Sequence, residues 1–314
     1  MYDAAVVGCG VIGRRLADAF AEHDRTALVA ACDLDADAAA ALAEAHDATA
    51  YTDLDAMLAE ASPDLVHVGV PPVAHAEVVD AALSAGAHVI CEKPIAPTAA
   101  EGRELAARAA ESDRVTAINF PFRYTPGFRE LVDRVAAGKV GDPRRLSLRF
   151  RFPKWPRPWQ DVEWLEGREQ GGPTREVGSH FLFGALELFD DVAVVDATRE
   201  FGGPEACETS ILARLEADGV AGAVDLLTDC VGEQENSLTV EGTDGALALA
   251  DWRTLVAAPG TDEERVVTDA DGETTLTLVG EVVAAMDGAD ADLVDFETAL
   301  AVQELVDDLL GIEA

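Results

Sequence analysis

YDAAVVGCGVIG, Tyr2 to Gly13, decides how the rest of the chain is read. A short apolar run, Ala4–Val7, leads into Gly8-Cys9-Gly10-Val11-Ile12-Gly13. A run of that length suits a strand buried on both faces. After it Val11, Ile12, Leu16, Ala19 and Phe20 recur at helical spacing. Strand, glycine turn and helix are the setting in which G-x-G-x-x-G holds a dinucleotide. Gly8 permits the tight turn, Gly10 lets backbone approach a pyrophosphate, and Gly13 lets the helix pack close to the strand. Gly10, Val11 and Ile12 then stand at a helix N-terminus, whose N–H groups and partial positive charge suit phosphates. Asp33 follows Gly13 by twenty residues, at the end of the next apolar run. An acid there accepts hydrogen bonds from ribose hydroxyls and repels a 2′-phosphate, which favours NAD, with NADP as the alternative.

Outward from this motif, apolar runs alternate with helical patterns as far as residue 121. The strand candidates are Ala4–Val7, Leu28–Cys32, Ala48–Tyr51, Leu65–Val70, His88–Cys91 and Val115–Phe120. Asp35 is placed to cap one helix, and Thr98 with Glu101 forms a capping box ahead of another. Repeated strand–helix units imply a doubly wound parallel sheet with right-handed crossovers. From Pro126, with Thr125 as cap, a further helix runs to Gly138. The period then changes. Arg144–Phe152, Glu208–Ala217, Ala221–Cys230 and Asn236–Gly242 alternate polar and apolar, as half-exposed antiparallel strands do. A helical segment around Glu176–Phe189 interrupts them, and residues 290–311 read as an amphipathic helix that packs back on the first domain. The expected organisation is residues 1–121 as a dinucleotide-binding Rossmann domain. Residues 122–314 follow as an α+β domain with a large, mostly antiparallel open sheet, for substrate binding and oligomerisation.

The 314 residues carry 60 acids against 23 basic residues, a formal charge of −37, and only three of the basic residues are lysines. The acids are spread along the whole chain. Such a surface repels itself at low salt and becomes tolerable when the Debye length falls to about 3 Å near 1 M. Lysine depletion with an excess of Asp, Glu and Ala resembles haloarchaeal proteins and implies a salt-rich cytoplasm. Nucleic-acid binding is disfavoured, because phosphate contacts need basic surface. The five cysteines form no C-x-x-C pair and no zinc pattern, so no metal is expected and the thiols read as packing. No apolar stretch reaches the roughly 18 residues of a membrane span, and no signal-like segment precedes Tyr2; a cytoplasmic protein is expected.

Val66–Ala96, VHVGVPPVAHAEVVDAALSAGAHVICEKPIA, resembles the corresponding segment of the Gfo/Idh/MocA oxidoreductases, the family of glucose–fructose oxidoreductase and inositol dehydrogenase. Pro71-Pro72, His75, Ala85-Gly86 and Glu92-Lys93-Pro94 carry the likeness. Arg123-Tyr124-x-Pro126, Gly138-Lys139-Val140-Gly141 and Gly171-Gly172 with Gly178-Ser179-His180 extend it over most of the chain. The resemblance implies hydride transfer between a nicotinamide cofactor and a small sugar, polyol or sugar-acid substrate, in a homodimer or homotetramer. It implies that Pro71, His75, Glu92 and Lys93 lie at the cofactor. Lys93 becomes the substrate-orienting cation and His180 the general acid or base. Glu176, where the family has Asp, becomes the carboxylate that supports His180, four residues away on one helix face.

Two departures stand out. Glu176 is one methylene longer than the family's Asp, and Phe183 replaces an Asp that often follows the His. They keep open a non-catalytic dinucleotide-binding sensor of the same fold, and also a reductase of imines or unsaturated rings. Arg149–Trp159 gathers four basic and four aromatic residues in an acidic chain. It reads either as a strand edge with a proline-rich loop pinned to a neighbouring subunit, or as a rim of the substrate pocket. In the second case Arg123, Tyr124, Trp155 and Arg157 are substrate-binding candidates, the arginines and Lys154 for an anionic group.

Overall fold

The computed structural model describes residues 1–160 and 162–312. They form two compact units: Met1–Pro121 with Glu273–Leu300, and Phe122–Gly272 with the residues from Ala301 onward.

In the first unit β1 (Tyr2–Val7), α1 (Val11–Glu22), β2 (Thr26–Cys32), α2 (Ala36–His46), β3 (Thr49–Tyr51) and α3 (Leu54–Ala61) alternate, followed by β4 (Leu65–Val68), α4 (His75–Ser84), β5 (His88–Glu92), α5 (Ala99–Ala110) and β6 (Thr116–Asn119). The six strands lie in the order β3-β2-β1-β4-β5-β6, all pairs parallel. This is the doubly wound order whose direction reverses between β1 and β4, where ligands meet the carboxyl ends of the strands. All four residues of β4 are buried, as covering by helices on both faces requires. Helix starts follow local chemistry. Asp35 accepts from Asp37 N at 2.9 Å, and Thr98 Oγ1 accepts from Glu101 N at 3.3 Å.

The second unit opens with α6 (Pro126–Ala136) and β7 (Pro143–Phe152), then α7 (Ser179–Leu188) and the strands β8 (Val192–Phe201), β9 (Glu208–Ala217), β10 (Val220–Thr228), β11 (Glu235–Gly242), β12 (Ala246–Ala250), β13 (Thr254–Ala257) and β14 (Arg265–Asp269). Its sheet runs β14-β13-β12-β11-β7-β10-β9-β8 and is antiparallel except where β10 pairs with β7. Phe122, Phe128, Phe150, Phe181 and Phe183 form its aromatic core, with ring centroids 4.7–5.9 Å apart.

A second domain running unbroken from 122 to the end does not describe the chain. α8 (Thr274–Met286) belongs to the first unit. It packs against α1 and buries Leu278, Val279, Val282 and Val283, each worth roughly 1.5–3 kcal/mol when fully covered. Just beyond it both carboxylate oxygens of Asp287 accept from Arg25 at 3.0 Å, and Oδ1 also accepts from Tyr2 Oη at 2.8 Å. The last helix, α9 (Phe296–Leu310), starts later than position 290. The residues before it are extended, and Val294 O accepts from Ile118 N at 2.8 Å on the outer edge of β6. That bond satisfies an edge strand that would otherwise be open.

Burial pushes the Cys9 thiol up to about 12, Cys32 to about 11 and Cys207 to about 12, and raises Cys91 well above its ordinary value. Cys230 alone of the five thiols is not buried. Because the thiolate is the reactive form, one equivalent of a thiol-selective reagent is expected to react with the folded protein at neutral pH, and none with Cys230→Ser. Rapid titration of more than one thiol would contradict this burial.

Candidate functional site

The glycine loop leaves β1 at Gly8, whose φ of +95° lies in the left-handed region. A side chain there would strike the Gly69 carbonyl, and one at Gly13 would strike the Gly8 carbonyl. Above Gly10 nothing lies within 4 Å. The strand–turn–helix packing therefore needs Gly8 and Gly13, while Gly10 leaves room for a group to approach the backbone. Gly10 N-caps α1 without a side-chain cap, and no acid occupies the first turn, so Val11, Ile12 and Gly13 present an end suited to an anion. Asp33, just beyond β2, ties the loop down. Its Oδ2 accepts from Cys9 N at 2.7 Å and its Oδ1 from Asp35 N at 2.9 Å. Open space over Gly10 and a fixed acid at the tip of β2 fit a pyrophosphate and an adenosine ribose. These residues would hold NAD.

On the other side of β1, Pro71 precedes a short turn and α4. His75 is buried at the start of that helix. Its Nε2 lies 2.9 Å from Val70 O and its Nδ1 3.3 Å from Ile95 O. Burial outweighs these carbonyls and lowers its pKa, and a neutral ring there donates to only one of the two. β5 ends at Glu92, and Lys93 follows with a cis bond to Pro94. Glu92 Oε1 accepts from two neighbours, His67 Nε2 at 3.0 Å and Asn119 Nδ2 at 2.6 Å. Sequence reading missed His67 and Asn119. Their only signal was position, near the carboxyl ends of the strands flanking β5.

In the second unit a π-helical turn, Thr174–Gly178, precedes α7, and Ser179 N donates to Thr174 O five residues back. Such turns re-aim side chains. Glu176 sits in this turn, so an unbroken α-helical i, i+4 ladder to His180 is not what the chain builds. The Glu176 carboxylate faces the Arg157 loop. Its Oε1 accepts from Arg157 Nη2 and Gln160 Nε2, each at 3.1 Å. Arg157 Nε donates to Gln160 Oε1 at 2.9 Å, and the guanidinium lies 4.6 Å from the Trp159 ring and 5.8 Å from Trp155. Burial lowers the Arg157 pKa and Glu176 partly restores it. Trp155 packs on Phe152 and donates to Leu165 O at 3.2 Å. Arg123 donates to Glu187 at 2.6 Å, and Tyr124 is buried with Arg129 over its ring. His180 is 6% exposed, with Trp252 edge-on at 5.0 Å and Phe122 at 6.3 Å. Phe183 is fully buried and packs on Phe128.

The predicted residues thus gather in two groups. Gly8 to Gly13 with Asp33, and Glu92 with Lys93, lie at the carboxyl edge of the parallel sheet. Glu176, Arg157 and Trp155 form one cluster in the second unit, and His180 adjoins an aromatic one.

The family model described as "Oxidoreductase family, NAD-binding Rossmann fold" matches residues 2–120, and the "GFO/IDH/MocA C-terminal domain" matches residues 128–248. Among curated proteins the chain is similar to the dTDP-3,4-didehydro-2,6-dideoxy-alpha-D-glucose 3-reductase of Streptomyces violaceoruber, 34% identical over 56% of this chain and 51% of that one. It is similar to the D-glucoside 3-dehydrogenase of Escherichia coli, 32% identical over 60% of this chain and 54% of the relative. The chain therefore spans about half the length of these relatives. A levoglucosan dehydrogenase solved with NADH and levoglucosan shares the fold, with a TM-score of 0.86 and 18% identity over 99% of this chain and 96% of that one.

Glu208, fully buried at the start of β9, accepts from Thr174 N at 2.7 Å and so anchors the π-turn. Burial pushes its carboxyl above the usual carboxylate range, against the pull of Thr174 and Arg175. The protonated form is then favoured by the fold. Stability from this group is full below the unfolded value of about 4.3 and is lost as pH rises through the raised folded value. Glu208→Gln keeps an acceptor without that loss. In thermal melts from about pH 4 to 8 the variant should match wild type at the acid end and gain on it towards neutrality. The reverse trend would show that the ionised Glu208–Arg175 pair is the favoured form.

Proposed function

The chain belongs to the GFO/IDH/MocA oxidoreductase family, and we propose that it transfers hydride between NAD(H) and a carbinol or carbonyl carbon of a small sugar, polyol or sugar-acid substrate. The observation that carries this reading is the glycine loop tied to Asp33, followed on the same sheet edge by Glu92-Lys93 after β5. Two relatives are named for action at position 3 of a hexose ring, which supports a ring carbon as the reacting centre. Lys93 orients the substrate and stabilises developing oxyanion charge. His180 removes the hydroxyl proton in oxidation and returns it in reduction, since an imidazole can serve as either general base or general acid. NAD supplies the hydride acceptor. The acid excess and scarce lysine favour a salt-rich cytoplasm, and the family resemblance points to a homodimer or homotetramer.

A second reading, a dinucleotide-binding sensor without turnover, is favoured by one observation. Glu176 is engaged by Arg157 and Gln160. A sensor would bind NADH and leave absorbance at about 340 nm unchanged with every sugar, polyol and sugar acid offered at multimolar KCl.

General acid–base assistance is worth roughly 10²–10⁴ in rate. Lys93→Ala and His180→Ala are each expected to lose at least about 100-fold in turnover while NADH affinity, read by fluorescence titration, stays within about threefold. Normal turnover by either variant would remove that residue from the reaction. Thermal melts should also rise steadily between about 0.1 and 2 M KCl, as screening relieves self-repulsion. A melting point indifferent to salt would sink the salt-rich setting.

A further inference from the structure

We propose that His67 and Asn119 are positioning residues that hold Glu92 as an acceptor for the carboxamide of the nicotinamide. The proposal rests on the dinucleotide assignment of the glycine loop. Asp33 marks the adenosine half of that site, over β2. A dinucleotide laid across the reversal between β1 and β4 then carries its second half over β4, β5 and β6. His67, Glu92 and Asn119 come from those three strands, at or next to their carboxyl ends.

Their hydrogen bonds are one-sided. Glu92 Oε1 takes both donors, His67 Nε2 at 3.0 Å and Asn119 Nδ2 at 2.6 Å. Glu92 Oε2 accepts from none of the described residues, and the side chain is 13% exposed. Asn119 Oδ1 is buried and likewise has no partner. Register sets Glu92 opposite Asn119 on the paired ends of β5 and β6. Two acceptors on adjacent strand ends therefore lack a donor. A carboxamide NH₂ offers two N–H donors, and satisfying a buried acceptor recovers its desolvation cost.

His67 gives this arrangement its direction. Its ring is fully buried, and donation to Glu92 requires the proton on Nε2. Gly69 makes room for it, since a side chain there would come within 2.6 Å of the ring edge. Donation from Nε2 to Oε1 fixes which carboxylate oxygen is used.

The test compares NADH with the reduced 3-acetylpyridine analogue, which lacks the carboxamide NH₂, and with ADP-ribose, which lacks the ring. Each is titrated by calorimetry against the full chain. Wild type should prefer NADH over the analogue by about three- to tenfold. In His67→Leu that preference should fall towards one while ADP-ribose affinity holds. His67→Gln, which keeps an N–H donor, should restore the preference. Should His67→Leu not fold, Asn119→Ala is expected to show the same loss of preference. An unchanged preference in folded His67→Leu, or in Asn119→Ala, would overturn the proposal. So would equal weakening of NADH and ADP-ribose, which indicates damage to the fold. If wild type binds neither NADH nor ADP-ribose, the dinucleotide assignment itself falls.

Discussion

A parallel sheet delivers the ends of all its strands to one edge, and there the chain must leave the ladder without stranding backbone groups. Unpaired buried N–H and C=O groups cost as much as lost hydrogen bonds. The first unit meets this constraint with a few buried and half-buried groups. Gly8 N donates to Cys32 O at 2.8 Å and Gly69 N to Val7 O at 2.7 Å. Asp33 accepts from the glycine loop, Glu92 accepts from β4 and β6, and His75 lies between two carbonyls. The same ties that finish the sheet fix the surface on which a dinucleotide lies. Binding there needs little reordering of backbone, which is where a cofactor site otherwise loses affinity.

This constraint also explains what could be read from the sequence. Strands buried on both faces are continuous apolar runs, and the glycine spacing is set by backbone collisions at Gly8 and Gly13, so the first sheet and its loop were legible from residues alone. α8 was not. It opens with Thr274-Thr275-Leu276-Thr277, whose three β-branched threonines speak for a strand, and it is helical because its apolar stripe finds α1. β13 and β14 are short and lie at an edge of their sheet, where alternation is too brief to read. His67 escaped notice because Glu92 is 25 residues away in sequence. Only the pairing of β4 with β5 brings them together, and no local pattern encodes that.

Charge follows a similar logic in the second unit. An unpaired guanidinium taken out of water is costly, and the buried Arg157 and Arg175 and the half-buried Arg123 each have partners in their own chain. Arg157 has Glu176 and Gln160. Arg175 donates to the carbonyls of Arg168 and Gly171 at 3.0 Å. Arg123 has Glu187. An arginine that received an anionic substrate would have to exchange such a partner for it, and would gain only the difference. Between 149 and 159, Arg149 and Arg151 pair across the sheet with Glu235 and Asp225, and Arg157 holds its own loop, where Trp159 and Trp155 flank the cation at about 0.5–2 kcal/mol per favourable contact.

The two departures at 176 and 183 then have one cause. A glutamate reaches one methylene further than an aspartate, and the π-turn aims it at the 157–160 loop, where its charge is consumed by Arg157. Phe183, one turn beyond His180, completes an aromatic core with Phe128. Phe183 serves packing and offers no carboxylate for a hydroxyl, while Glu176 holds Arg157 and Gln160 in place. His180 keeps its place on α7, set by ring contacts with Trp252 and Phe122 that do not depend on an acid at either neighbouring position.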